Sequence, residues 1–171
     1  MIAKSIEEML LTKQNSFLIP GDKVASVQED NPLTHAFLLL TKVRYSKIPV
    51  LDGESHLLGL LTMPMITDRM IELMDLSFDP LKDLTVKDVM QTEFDTLKTT
   101  ADMDLALHLL VDNPFVPVVD EQNVFRGILT RREMMKAFNY IAHNIENDYE
   151  ITEKASRHHI SKLAGTEIKH A

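Results

Sequence analysis

Two arginines lie where a helix is predicted to begin, which is an unfavourable place for positive charge. Arg131 and Arg132 follow a short apolar run, 124–129, and precede an apolar-periodic segment, so the sequence predicts a strand that leads directly into a helix. Thr130 and Glu133 match a capping box, whose hydroxyl and carboxylate accept hydrogen bonds from unpaired backbone amides. The arginines have no such explanation, because a cation at the positive end of a helix dipole costs roughly 0.3 kcal/mol or more. This pattern therefore indicates that an anion binds here.

The composition fits a globular, cytoplasmic protein with a buried apolar core. The chain has 171 residues, of which 44% are apolar, and this suits one domain or two small halves. It contains no cysteine, which removes disulfides and thiolate chemistry and fits a reducing compartment. The apolar runs are too short to span a bilayer and the first residues do not resemble a signal peptide, so we expect no membrane segment and no export. The net charge of −8 argues against broad nucleic-acid binding, which needs a basic face.

The sequence contains an internal repeat. Ile-Pro-Val-Leu-Asp at 48–52 matches Val-Pro-Val-Val-Asp at 116–120, and Gly-Leu-Leu-Thr at 59–62 matches Gly-Ile-Leu-Thr at 127–130. Both matches have the same offset of 68 residues, a register that chance rarely produces. The repeated pattern therefore predicts a β-α-β-β-α unit in each half. Together the two units are expected to form a mixed α/β fold of the α+β type, packed as one pseudo-symmetric module.

Local patterns predict the elements that position these residues. The predicted strands cover residues 24–27, 47–51, 56–61, 94–97, 115–119 and 124–129, and the predicted helices cover 4–15, the segment after Pro32, 63–74, 102–111 and 131 to about 142. The chain divides into an N-terminal helix at 1–16, a first repeat at 17–75, a linker at 76–84, a second repeat at 85–142 and a C-terminal extension at 143–171. The extension is compatible with a solvated helix or with a segment that becomes ordered on a partner.

The repeated pattern resembles a tandem pair of cystathionine-β-synthase (CBS) domains. Each copy has an apolar strand with a proline, an acidic turn, and a Gly-apolar-apolar-Thr segment that opens a helix. Residues 85–90 are similar to the segment that commonly leads into such a repeat, and the resemblance covers about 17–142. Such pairs are regulatory modules that bind adenine nucleotides in the clefts between the halves. The layout, a nearly complete stand-alone pair with extensions at both ends, is similar to the cyclic-di-AMP-binding CBS proteins of Gram-positive bacteria.

The resemblance implies two clefts, each built from the base-contacting segment of one repeat and the phosphate segment of the other. The first cleft would carry four cations and is assigned Lys23, Val24, Ala25, Tyr45, Ser46, Lys47, Ile48, Ile128, Thr130, Arg131, Arg132 and Glu133. The second would carry two carboxylates and is assigned Glu93, Phe94, Asp95, Asn113, Pro114, Phe115, Leu60, Thr62, Met63, Pro64 and Met65. Because Pro64 also lacks a backbone amide donor, we expect one good nucleotide site per chain, in the first cleft.

Several residues of the first cleft have ordinary alternative roles. Glu133 stands where the family usually has Asp, so it can contact a ribose hydroxyl or serve only the capping box. Tyr45 can stack on a base or simply occupy a helix-to-strand junction. Lys23 and Lys47 can be solvated surface residues. The sequence leaves these alternatives open.

The prediction is therefore a nucleotide sensor that binds cyclic-di-AMP in the first cleft and thereby changes its affinity for a protein partner. The resemblance implies a homodimer and, as a partner, the (p)ppGpp synthetase-hydrolase. The same residues would suit a sensor of AMP, ADP or ATP, and a ligand-independent interaction scaffold is the alternative from another class. We expect no metal, cofactor or catalysis, because the seven histidines lack metal-ligand spacing and neither a phosphate-binding glycine loop nor a nucleophile elbow is present.

Overall fold

The fold is known from a computed structural model, which describes residues 2, 4–12, 17–72, 81, 83–98 and 102–148. Over these residues the chain forms helices α1 (Lys4–Thr12), α2 (Leu33–Val43), α3 (Met63–Glu72), α4 (Met103–Asp112) and α5 (Arg131–Asp148). The strands are β1 (Leu18–Pro20), β2 (Val27–Gln28), β3 (Lys47–Leu51), β4 (Leu57–Thr62), β5 (Phe115–Val119) and β6 (Phe125–Thr130). The predicted mixed α/β class and its two related halves are confirmed.

The two halves exchange their leading segments. The described strands form two sheets with the orders β2-β3-β4 and β1-β6-β5. Although β1 lies at the start of the first repeat, it pairs antiparallel with β6 of the second, with Pro20 opposite Gly127. The segment near the start of the second repeat crosses the other way, since Gln91 bridges to Leu60 in β4. Each cleft between the halves is therefore bordered by chain from both repeats.

Successive side chains of a strand point to opposite faces of its sheet. The strands therefore contribute to two outer hydrophobic cores, one in each half, and to a central core between the halves. Ile48 and Val50 of β3 are fully buried in a cluster with residues of α2 and α3. Val116 and Val118 of β5 lie in the matching cluster of the second half, beneath α4 and α5. A third cluster joins the halves and contains Val24, Leu51, Leu57, Leu60, Phe115, Val119, Phe125 and Ile128. The repeats thus share a continuous apolar centre.

Helix α1 belongs structurally to the second half. Its residues Met9 and Leu10 are buried in the same cluster as Met134 and Ile141 of α5. Phe17, which directly precedes β1, is buried there too. The N-terminal helix and β1 therefore act together as one anchor on the second repeat.

The glycine of each repeated motif is required by the exchange of segments. Gly127 has φ +150°, and a Cβ atom at this position would collide with the carbonyl oxygen of Ile19 in β1. At the matching position, a Cβ on Gly59 would lie 2.6 Å from Sδ of Met90 and 2.9 Å from the carbonyl oxygen of Gln91. Both glycines thus allow a crossing segment to approach the strand closely, which is a structural role.

The acidic turns of the two halves meet at their junction. Asp52 and Asp120 each accept hydrogen bonds from two backbone amides of their own turn. Across the junction, the Phe125 amide donates to the Ser55 carbonyl oxygen at 2.9 Å. The repeated aspartates therefore hold the two turns in the shape that lets them contact each other.

Some predicted elements differ from the structure. The predicted strand at 94–97 is wrong: only Leu97 bridges to β5, because the residues before it form the rim of the second cleft. The first predicted strand is shifted to Val27–Gln28, since residues 21–23 form a 3₁₀ turn. Helix α5 continues to Asp148, past the predicted end near 142. Residues 13–15, most of the predicted linker and 149–171 lie outside the described residues.

Candidate functional site

Helix α5 begins directly after β6, and its first turn is capped by Thr130. The Thr130 hydroxyl accepts a hydrogen bond from the Glu133 amide at 3.2 Å, which is one half of the predicted capping box. The Glu133 carboxylate instead accepts from Nζ of Lys136 at 2.6 Å. Its partner in the structure is therefore a neighbouring lysine, and a ribose hydroxyl would have to share the carboxylate with that lysine.

The Arg131 guanidinium lies at the C-terminal end of α4. Its Nε donates to the Leu110 carbonyl oxygen at 2.8 Å, and its Nη2 donates to those of Val111 at 3.0 Å and Asn113 at 3.1 Å. The last carbonyls of a helix have no partner within the helix, and a cation there meets the negative end of the dipole. Arg131 thus has a structural role that the sequence analysis missed.

The register of β5 and β6 explains this contact. Phe115 lies opposite Thr130, so the residue after Thr130 comes next to the residues before Phe115. The Arg131 amide accordingly donates to the Pro114 carbonyl oxygen at 3.0 Å. The sequence predicted both strands and the helices beside them but not the strand register, so it did not indicate this role.

Three side chains in the segments assigned to the first cleft are exposed, namely Arg132, Lys23 and Tyr45. Within the described residues none of these three side chains has a hydrogen bond or an ion pair, and Tyr45 is 51% exposed. Arg132 therefore remains the cation at the start of α5 that no protein contact accounts for. All three side chains can reach a ligand without breaking an existing bond.

Other residues assigned to the first cleft lie deeper. Val24 and Ile128 are buried together in the central cluster, which brings the two assigned segments into contact. Ile48 is fully buried in the outer core of the first half, so only its backbone is available to a ligand. Ser46 is exposed and Ala25 is half-buried.

The second cleft contains a pocket of about 120 Å³. The structure brings together several residues assigned to this cleft, namely Leu60, Glu93, Phe94, Asp95, Asn113 and Phe115. It also places Lys47 on the wall of this pocket, whereas the sequence analysis assigned Lys47 to the first cleft. The lining thus carries two carboxylates and one ammonium, which keeps its formal charge negative at neutral pH.

The described residues show no group of three His, Asp or Glu side chains that could hold a metal ion. None of the described helices is long and apolar enough to cross a membrane.

Comparison with known proteins identifies the fold family. The CBS domain family matches residues 18–72 and 86–140. The chain belongs to the CBS-domain family. Each matched segment contains one copy of the proline, acidic-turn and Gly-apolar-apolar-Thr pattern, so the resemblance inferred from the sequence is confirmed.

Several CBS proteins are similar to this chain along almost their whole length. Cyclic di-AMP receptor B of Bacillus subtilis is 37% identical over 139 residues, which are 81% of this chain and 95% of that protein. The crystal structure of CbpB from Streptococcus agalactiae has a TM-score of 0.81 at 31% identity and covers 90% of this chain and 96% of its own. That of CbpB from Listeria monocytogenes in complex with c-di-AMP has a TM-score of 0.71 at 47% identity and covers 77% and 98%.

A more distant relative is an enzyme. Inosine-5'-monophosphate dehydrogenase of Methanocaldococcus jannaschii is 26% identical over 141 residues, but these are only 26% of the dehydrogenase. The match covers 81% of this chain. The similarity is thus to a part of that enzyme.

Proposed function

We propose that this protein is a regulatory nucleotide receptor that binds cyclic-di-AMP in the first cleft and thereby changes its affinity for a protein partner. The observation that carries the proposal is Arg132, an exposed cation at the positive end of α5 whose side chain has no partner among the described residues. Such a charge is unfavourable beside the helix dipole unless an anion joins it. A phosphate at this position would gain from both the dipole and the guanidinium.

The relatives support the choice of ligand. The Bacillus subtilis protein at 37% identity is named a cyclic di-AMP receptor, and the Listeria monocytogenes protein at 47% identity was crystallised with c-di-AMP. Both similarities extend over most of this chain and nearly all of the relative. The proposal transfers this ligand to the present chain and describes a receptor whose role is binding.

The first turn of α5 supports a phosphate contact at one residue in particular. The Arg131 amide donates to Pro114 and the Glu133 amide donates to Thr130, so these two donors are already engaged. Arg132 is the residue of this turn that can offer a guanidinium without losing an existing contact. Tyr45 adds an exposed ring that can stack on an adenine, and Lys23 adds a second exposed cation.

Calorimetric titration with c-di-AMP, AMP, ADP and ATP tests the proposal. We expect c-di-AMP to bind most tightly, and Arg132→Gln to weaken binding by roughly tenfold to a hundredfold, because a hydrogen bond to a charged group contributes about 1.5–3 kcal/mol. Lys42→Gln, an equal change of charge on α2, is the matched control and should bind as wild type does.

The outcome separates the alternatives. Tighter binding of AMP, ADP or ATP than of c-di-AMP would make the protein a sensor of those nucleotides. Failure of all four to bind would leave the ligand-independent scaffold as the better account. Equal loss of affinity in Lys42→Gln and Arg132→Gln would show that net charge, and not the start of α5, decides binding.

We also propose that the protein acts in the cytoplasm as a homodimer. Exposed apolar side chains on the helices support association: Leu38 and Ile71 are each 66% exposed, Met135 63% and Val111 72%. The partner that the family resemblance implies is the (p)ppGpp synthetase-hydrolase. Sedimentation tests the dimer, and a pull-down of that enzyme with and without c-di-AMP tests the partner and the sign of the effect.

A further inference from the structure

Arg131 connects the start of α5 with the last turn of α4. Its backbone belongs to the segment assigned to the first cleft, while its guanidinium holds the carbonyl oxygens of Leu110, Val111 and Asn113. The same side chain borders an apolar groove of about 290 Å³ between α4 and α5, which Val111 and Met135 also line. One guanidinium therefore stands between the candidate nucleotide site and a surface groove.

We propose that Arg131 acts as a conformational switch, an inference that rests on the proposed function. A phosphate bound at the start of α5 takes the guanidinium from the α4 carbonyls, so that nucleotide binding releases the last turn of α4 and reshapes the groove. A phosphate carries a full negative charge and can accept two parallel hydrogen bonds from a guanidinium, whereas each carbonyl offers only a partial charge, and this difference favours the phosphate. The bonds to Val111 and Asn113 are exposed, so water can replace them, whereas the bond to Leu110 is partly buried and its loss is the main cost of the switch.

The first repeat lacks this device. Met63 occupies the position that matches Arg131, and it packs against the outer core of the first half. The C-terminal end of α2 has a backbone cap: Arg44 adopts a left-handed conformation with φ 57°, and its amide donates to the Leu40 carbonyl oxygen. Because the guanidinium contact of Arg131 lies on α4, the switch acts on the last turn of α4.

The switch supplies the two arrangements that a change in partner affinity requires. In one arrangement the guanidinium holds α4, and in the other it holds the phosphate. A ligand shifts an equilibrium between two states only if it binds one of them more tightly. Here the contact between the guanidinium and the phosphate exists in one arrangement and not in the other, so the nucleotide binds the two arrangements with different affinity. The groove wall at Leu110 and Val111 changes with it, and any partner that touches this wall is coupled to the nucleotide.

Hydrogen exchange on the full chain tests the switch. With c-di-AMP at saturation, we expect the amides of residues 109–113 to exchange about tenfold faster, since they lose the support of a helix cap. The Asn113 amide, which donates to the Leu109 carbonyl oxygen at 3.1 Å, is the best single reporter. In Arg131→Gln these amides should exchange fast without ligand, and c-di-AMP should change them no further.

Two further variants keep the test sharp. Arg132→Gln, measured at a ligand concentration that saturates it, should still show the faster exchange, because its Arg131 is intact. Arg131→Lys keeps the charge but cannot form the three-bond fork, so it replaces Arg131→Gln if that variant fails to fold, and its ligand-induced change should be smaller than that of wild type.

The results decide between the two proposals. Unchanged or slower exchange at 109–113 in wild type with c-di-AMP bound would overturn the switch and leave nucleotide binding intact. A ligand-induced increase in Arg131→Gln equal to that of wild type would also overturn it. If no adenine nucleotide binds at all, both the receptor function and the switch are refuted.

Discussion

Replacing the glycine of the second motif should destabilise the protein strongly. Gly127 has φ +150°, a conformation that residues with a side chain rarely adopt, and an added Cβ would collide with the Ile19 carbonyl oxygen. The strained backbone alone costs about 1–3 kcal/mol. Relief of the collision requires β1 to move, which weakens its pairing with β6 and loses hydrogen bonds that contribute about 1 kcal/mol each. We expect Gly127→Ala to lower the free energy of unfolding by about 3–5 kcal/mol.

Two other glycines provide a graded comparison. Gly59→Ala meets the flexible end of Met90, at 2.6 Å, and a backbone oxygen of Gln91, at 2.9 Å. Its expected cost is about 1–3 kcal/mol, because part of the collision can be relieved by a side-chain rotation. Gly53 is the matched control, since a Cβ there meets nothing within 4 Å. Gly53→Ala should stay within about 0.5 kcal/mol of wild type.

Urea unfolding of the three variants measures the series, with size-exclusion chromatography to detect any variant that does not fold. We expect the loss in free energy of unfolding to decrease in the order Gly127→Ala, Gly59→Ala, Gly53→Ala. A Gly127→Ala protein as stable as Gly53→Ala would refute the inference that the motif glycine exists to admit β1. The glycine would then need another explanation, such as direct approach of a ligand to the backbone.

Three further predictions concern charge. Arg131→Gln should lower the free energy of unfolding by about 1 kcal/mol or more in urea, because it removes three hydrogen bonds to the end of α4, whereas Arg132→Gln should change it by less than about 0.5 kcal/mol; equal effects would contradict their separate roles. Calorimetric titration with c-di-AMP should give one nucleotide per chain, and two would refute the expected weakness of the second cleft. Nδ1 of His56 lies 2.8 Å from Oδ2 of Asp52, and this hydrogen bond raises the pKa of His56 above its ordinary 6.5. The stabilisation is complete below that ordinary value and is lost as pH rises through the raised pKa, so the advantage in Tm of wild type over His56→Gln should shrink as pH rises above 6.5; a growing advantage would contradict the pairing.

The sequence predicted what depends on local pattern and repetition. Two strands with a central proline, each before an acidic turn and a helix, could be placed because their apolar runs are clear and recur at one offset. The exchange of β1 could not be predicted, because Leu18–Pro20 is only three residues long and its partner lies more than a hundred positions away. Short strands carry too little pattern to specify a distant partner.

The role of Arg131 was missed for a similar reason. The rule about cations at helix starts considers α5 alone, where Arg131 and Arg132 look equivalent. In the folded chain the start of α5 adjoins the end of α4, so one arginine lies at the negative end of a second dipole. The contact depends on the register of two strands and could be found only once that register was known.

The difference between the two halves follows from the same four positions. Thr-Met-Pro-Met at 62–65 and Thr-Arg-Arg-Glu at 130–133 open helices of the same kind, but the first sends methionines into a core and the second supplies charge. In the second half, adjacent residues have the structural role and the proposed ligand-binding role: the Arg131 side chain binds the end of α4, and the Arg132 side chain is exposed to solvent. We therefore expect substitution of Arg132 to change nucleotide affinity without weakening the fold, and substitution of Arg131 to change the response of the fold to the nucleotide. A receptor needs these two properties to be separable, because affinity for the ligand and transmission to a partner are different free energies.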